Sequence, residues 1–124
     1  MKNILLVGLG GFAGSICRYL VTLYSLRVFT PSLPYGTLIV NLAGSALIGL
    51  LAGALLKMNN QFYQLLLITG FCGGFTTFSS FSIEGLRLLK EAQYYQYVTY
   101  VTVSVFGGLT LCILGVWIAQ KLLS

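Results

Sequence analysis

Gly70-Phe71-Cys72-Gly73-Gly74-Phe75-Thr76-Thr77-Phe78-Ser79-Ser80-Phe81-Ser82 lies within a largely apolar run that extends from Phe62 to Leu89. About 20 apolar residues cross a bilayer as a helix, so the run is long enough to span one. Its centre is ill suited to an unbroken helix. Gly73-Gly74 has the greatest backbone freedom, and Thr76-Thr77 is β-branched. The spacing predicts a helix over about residues 62–89 with a break near 73–77. A break frees backbone carbonyls and amides, which must be satisfied inside protein or by an ion. Freed carbonyl oxygens suit a small hard cation such as sodium. Once the helix resumes near Thr77 or Phe78, Phe78 and Phe81 share one face. The hydroxyls of Ser79, Ser80 and Ser82 lie close by. Phenyl edges are electropositive, so edges and hydroxyls together suit a small anion that only accepts hydrogen bonds. On their own, the two rings also fit ordinary packing.

The rest of the chain is as apolar as this run. Of 124 residues, 57% are hydrophobic and 7% are charged, against roughly 25% charged in a soluble domain. Mean hydropathy is +0.92. Seven Lys/Arg and two Glu cannot cover the surface of a soluble domain, so a soluble enzyme and a disordered chain are both excluded. There is no His and no Asp, which leaves Glu84 and Glu91 as the carboxylates for acid–base chemistry. That composition argues against an enzyme. The net charge of +5 is scattered, with no basic face for nucleic acid. Cys17, Cys72 and Cys112 are far apart. They read as small buried hydrophobes rather than metal ligands.

A single membrane domain over 1–124 follows, all-α, with four transmembrane helices at about 4–26, 36–56, 62–89 and 97–119. The N-terminal run continues past Arg18 to Leu26, so it reads as a span and not as a cleaved leader. Pro31 and Pro34 mark the first connection as non-helical. Lys57-Met58-Asn59-Asn60 and Lys90–Gln96 form polar connections. Four spans place Lys2, Lys57 and Lys121 on one side and Arg27, Arg87 and Lys90 on the other. Orientation normally follows a Lys/Arg excess, and this balance leaves almost none. Insertion both ways round, with opposed copies pairing, is one outcome. A single orientation set by a dominant charge is the other.

Three further positions carry polar groups into the apolar spans. Arg18 lies inside the first, where a charge is costly and faces a partner, water or the interface. Asn41 sits in Leu38-Ile39-Val40-Asn41-Leu42-Ala43, with Thr37 one turn earlier at the start of a polar stripe. An interhelical hydrogen bond and a pore-facing donor both fit it. Ser104 in the fourth span follows Tyr100 by one turn, and its hydroxyl can bond its own i−4 carbonyl.

Three motifs make the chain resemble the Fluc/CrcB-type fluoride channels. Gly10-Gly11-Phe12-Ala13-Gly14-Ser15-Ile16-Cys17-Arg18-Tyr19 is similar to the family's GGxxGAxxRY. Gly36-Thr37-Leu38-Ile39-Val40-Asn41-Leu42-Ala43-Gly44 is similar to GTLxVNxxG. The segment from Gly70 to Ser82 is similar to GFCGGxTTFSTFS. Ser15 replaces an Ala and Ser80 a frequent Thr. The resemblance implies an antiparallel, dual-topology homodimer in the bacterial inner membrane, with two pores that export fluoride passively and lower its toxicity. It implies that Asn41 is a pore donor, and that Phe78 and Phe81 offer ring edges to the ion. Tyr100 and Ser104 then line or adjoin the pore, with Ser79 and Ser80 adding hydroxyls, and Arg18 lies toward a vestibule. The backbone carbonyls of Gly73 and Thr76 then hold a structural sodium ion at the dimer interface.

Two other classes fit the size of the chain. A small dual-topology multidrug or cation exporter needs an embedded Glu in its first helix, and none is there. Glu84 reads instead as one half of an i, i+3 ion pair with Arg87. A structural membrane subunit leaves the segment from Gly70 to Ser82 unexplained.

Overall fold

A computed structural model of the chain describes residues 1–58 and 60–123, without the side chains of 56–58. Asn59 and Ser124, and the side chains of Lys57 and Met58, therefore lie outside the described residues. The molecule is all-helical, with four helical stretches long and apolar enough to cross a membrane, at Lys2–Val28, Tyr35–Leu55, Gln61–Lys90 and Tyr94–Leu122.

The first stretch is one helix, α1 (Lys2–Val28). It ends where Phe29 turns extended, ahead of Pro31 and Pro34. Proline lacks an N–H and disfavours helix in the residue before it. The ring of Phe29 stacks on Tyr35 at 4.7 Å, which closes the connection against the start of α2 (Tyr35–Met58).

The third stretch is assembled from four pieces. Asn60 accepts from the Phe62 amide at 3.0 Å and caps the short α3 (Gln61–Tyr63). A π-helical segment runs over Gln64–Cys72, followed by α4 (Gly73–Phe75). Thr76 and Thr77 are extended, with φ/ψ of −84/158° and −150/117°. Helix resumes as α5 (Phe78–Lys90), with Thr77 as its N-cap. The Thr77 hydroxyl accepts from the Ser80 amide at 3.2 Å, as a Thr N-cap does at its third helical residue.

A Schellman-type turn ends α5. The amides of Gln93 and Ala92 donate to the Leu88 and Leu89 carbonyls. The polar connection is therefore shorter than Lys90–Gln96, because α6 (Tyr94–Thr102) already begins at Tyr94. A second π-helical segment, Val103–Gly107, leads into α7 (Gly108–Leu122).

Glycine sets the packing. Gly10 and Gly14 of α1 lie against the backbone of the third stretch: a Cβ on Gly10 would meet the Leu66 carbonyl, and one on Gly14 the Phe71 carbonyl. Gly49 and Gly53 bring α2 onto α7 in the same way, against Cys112 and Val116. Small residues permit this approach where lipid supplies no hydrophobic drive between helices. The outcome is two tight pairs, first with third and second with fourth, joined through the contacts of α2 with α1 and with the third stretch.

Candidate functional site

The site is built around the interruption in the third stretch. In a continuous helix the Thr77 amide would bond the Gly73 carbonyl, and the Ser80 amide the Thr76 carbonyl. Both donors are diverted. The Thr77 amide donates to Asn41 Oδ1 at 2.8 Å, and the Ser80 amide donates to Thr77 Oγ1. The Gly73 and Thr76 carbonyls thereby lose their helical donors. Asn41 completes the junction by donating from Nδ2 to the Thr77 carbonyl at 3.0 Å. Its amide oxygen thus takes the place of the helical acceptor that Gly73 would supply, and its nitrogen adds a donor at the Thr77 carbonyl. The second Nδ2 hydrogen is left over.

Hydroxyls collect at the same point. Thr77 Oγ1 donates to Ser80 Oγ at 3.1 Å and lies 3.3 Å from Ser79 Oγ. Ser79 is exposed and Ser80 half-buried. Phe78 and Phe81 are ring neighbours at 5.7 Å, and Phe81 continues to Tyr100 at 5.2 Å. Phe78 is 79% exposed, whereas Tyr100 is fully buried. The three rings form a row from the molecular surface to the core.

One helical turn from Ser80, Glu84 sits differently from its sequence reading. It does not pair with Arg87: Thr37 Oγ1 donates to Glu84 Oε1 at 2.9 Å, and the Tyr100 hydroxyl donates to Glu84 Oε2 at 2.8 Å. The carboxylate faces α2 and α6, where two hydroxyls converge, and Arg87 is exposed. Glu84 is the site residue that sequence reasoning misses. The available signal was an ionisable side chain four residues after Ser80, inside an apolar stretch.

Two buried polar atoms have no partner among the described residues, Arg18 Nε and Ser104 Oγ. Ser104 does not bond back to its i−4 carbonyl, and it lies inside the π-helical segment, where the ordinary helical register is lost. Arg18 opens on a cavity of about 260 Å³ that it shares with Ser15, Thr37, Thr77, Ser80 and Glu84. A second cavity, about 460 Å³, is lined by Asn41, Ser45, Thr69, Gly73 and Thr76. The Asn41–Thr77 junction borders both.

The structure thus brings together Thr37, Asn41, Thr76, Ser79, Ser80, Phe78, Phe81 and Tyr100, with Arg18 on the border of the first cavity. Gly73 faces outward, with open space where its Cβ would be. Among the described residues no cluster of His, Cys, Asp or Glu could hold a metal ion. Any cation here would rely on backbone, hydroxyl or amide oxygens.

Four apolar helical stretches with donors, ring edges and freed carbonyls gathered inside them define a small multi-pass membrane protein. Residues 5–116 match the family described as CrcB-like protein, Camphor Resistance (CrcB), and the chain belongs to that family. It is 43% identical over 121 residues to the fluoride-specific ion channel FluC of Phocaeicola vulgatus, covering 97% of this chain and 100% of the relative. It is 44% identical over 124 residues to the fluoride-specific ion channel FluC of Flavobacterium psychrophilum, covering 98% and 100%. It is 42% identical over 127 residues to the protein of the same description from a Caulobacter species, covering 100% and 99%.

Proposed function

We propose that this chain is a fluoride-selective channel of the bacterial inner membrane that lets the ion leave the cytoplasm passively and so limits its toxicity. The observation that carries the reading is the Asn41–Thr77 junction. It borders two cavities and offers a spare amide hydrogen next to the linked hydroxyls of Thr77, Ser79 and Ser80. Its relatives' description as fluoride-specific channels supports the same reading.

Fluoride holds its water tightly, so a path must replace that water with donors and still release the ion. Successive weak sites achieve this. Arg18 draws the anion into a vestibule. Asn41, Ser79, Ser80 and Ser104 donate hydrogens, and Phe78 and Phe81 present ring edges. Thr37 and Tyr100 hold Glu84 at the side of the path. Hydrogen fluoride that enters at low external pH dissociates inside, and the interior-negative potential drives the anion out.

The functional unit is an antiparallel homodimer, with the third helix broken in mid-membrane. The Gly73 and Thr76 carbonyls, released from their helical donors, fit a structural sodium ion that a second copy would complete. Bound there, the ion supplies positive charge that satisfies backbone oxygens where water is scarce.

The test is fluoride efflux from liposomes carrying the purified protein, with a potassium ionophore fixing the voltage and chloride as the control anion. Fast, fluoride-selective efflux without a pH gradient is expected. No efflux from folded protein overturns the reading.

A further inference from the structure

We infer that Ser45 is a further hydrogen-bond donor on the ion path, one turn beyond Asn41, and that Gly108 keeps the space beside it open. This rests on the fluoride reading above. Thr37, Asn41 and Ser45 recur at four-residue intervals on α2, which places three polar side chains on one face over about 12 Å. Tyr100, Ser104 and Gly108 repeat that interval on the fourth stretch. The two files meet at both ends. Thr37 and Tyr100 converge on Glu84. At the other end a Cβ added to Gly108 would lie 3.2 Å from Ser45 Oγ.

Between those ends two donors go unused. Ser104 Oγ is buried without a partner among the described residues. Asn41 has committed its only acceptor oxygen to Thr77 and retains an unused amide hydrogen. An anion that accepts hydrogen bonds is a ligand these two donors suit.

Ser45 Oγ donates to the Asn41 carbonyl at 2.7 Å. That is a back-bond to a carbonyl the helix already serves, and such bonds contribute little to helix stability. Rotation about χ1 redirects the hydroxyl into the 460 Å³ cavity that Ser45 lines together with Asn41 and Thr76. This cavity borders the junction, as does the separate cavity that holds Arg18. An ion that passes Asn41 from the Arg18 cavity into this one meets Ser45 next. A second weak site there lets the ion leave Asn41 without first recovering its full water shell.

The test is fluoride efflux and its concentration dependence for three variants of the purified full chain in liposomes. Ser45→Ala is expected to slow efflux by about tenfold, the scale of one lost hydrogen bond to a charged group, and to raise the half-saturating fluoride concentration. Ser45→Cys keeps nearly the same shape with a poor donor and is expected to slow efflux as well. Ser45→Thr keeps the hydroxyl and is expected to conduct at close to the wild-type rate. The size-exclusion profile and thermal midpoint should match wild type in all three. Wild-type rates in the Ala and Cys variants overturn the assignment while leaving the channel reading intact. So does a Thr variant as slow as Ala, because it shows that the hydroxyl is not what matters. Absence of efflux from the wild-type protein overturns the channel reading, and this assignment with it.

Discussion

Ala92 has a φ of 56°, a left-handed conformation that costs an L-residue roughly 1–2 kcal/mol relative to glycine. It is held there as the turning residue after α5, with its own amide on the Leu89 carbonyl and the next amide on the Leu88 carbonyl. Ala92→Gly is therefore expected to stabilise the protein by about 1 kcal/mol. A rise in the thermal midpoint of the purified protein, with efflux unchanged, is the check. Phe81 makes a different case, because its ring lies between Phe78 and Tyr100. Phe81→Ile keeps apolar bulk and removes the ring edges. Fluoride efflux should fall by about tenfold, which is ~1.4 kcal/mol in barrier height and close to what aromatic geometry contributes beyond buried area. Wild-type efflux from a folded Phe81→Ile protein would remove the ring from the path.

At the level of elements, the interrupted stretch is held from outside by α1 and α2. Gly14 packs directly under Phe71 and Phe75, so Gly14→Val would push α1 off the third stretch. Overpacking of this kind costs about 1–3 kcal/mol. The expected result is a lower thermal midpoint together with impaired efflux, while Gly8→Ala, which meets nothing within 4 Å, should leave both unchanged. An unchanged midpoint for Gly14→Val would mean that the two helices do not need their close contact. Much of this was legible in the sequence. The four apolar runs, the prolines after Phe29, and the Gly-Gly/Thr-Thr segment each follow from local composition. What sequence could not give is which groups replace the helical hydrogen bonds at Thr76 and Thr77. Asn41 lies 36 residues away from Thr77, and periodicity on α2 shows only that Asn41 needs a partner. Glu84 was hidden for a similar reason. Its nearest opposite charge along the helix is Arg87, and only packing shows that Thr37 and Tyr100 reach it first. The register change around Ser104 likewise has no sequence mark beyond Gly107 and Gly108.

Over the whole molecule, the large apolar side chains of α1 point mainly outward, among them Leu5, Leu9, Phe12 and Ile16, and Phe78 is largely uncovered as well. In one copy alone the row Phe78–Phe81–Tyr100 ends at the surface, and Gly73 is exposed. The antiparallel second copy proposed above would cover both. The charges bear on that proposed pairing. Lys2, Lys57 and Lys121 mark one side, and Arg27, Arg87 and Lys90 the other, and a Lys/Arg imbalance is what fixes the insertion direction. A variant with Arg27→Gln and Lys90→Gln keeps the first set and leaves only Arg87 of the second, so its copies should insert one way. Cysteine labelling at the C-terminus should then be one-sided, where the proposed antiparallel dimer requires the wild-type chain to label from both sides. Efflux should be lost, because equally oriented copies cannot form the antiparallel pair. Co-expression with a chain biased the other way, through Lys2→Gln and Lys121→Gln, should restore it. Full efflux from the one-way variant alone would show that the conducting unit does not need opposed copies. The row of rings would then have to be completed within the bilayer by lipid or by a parallel partner.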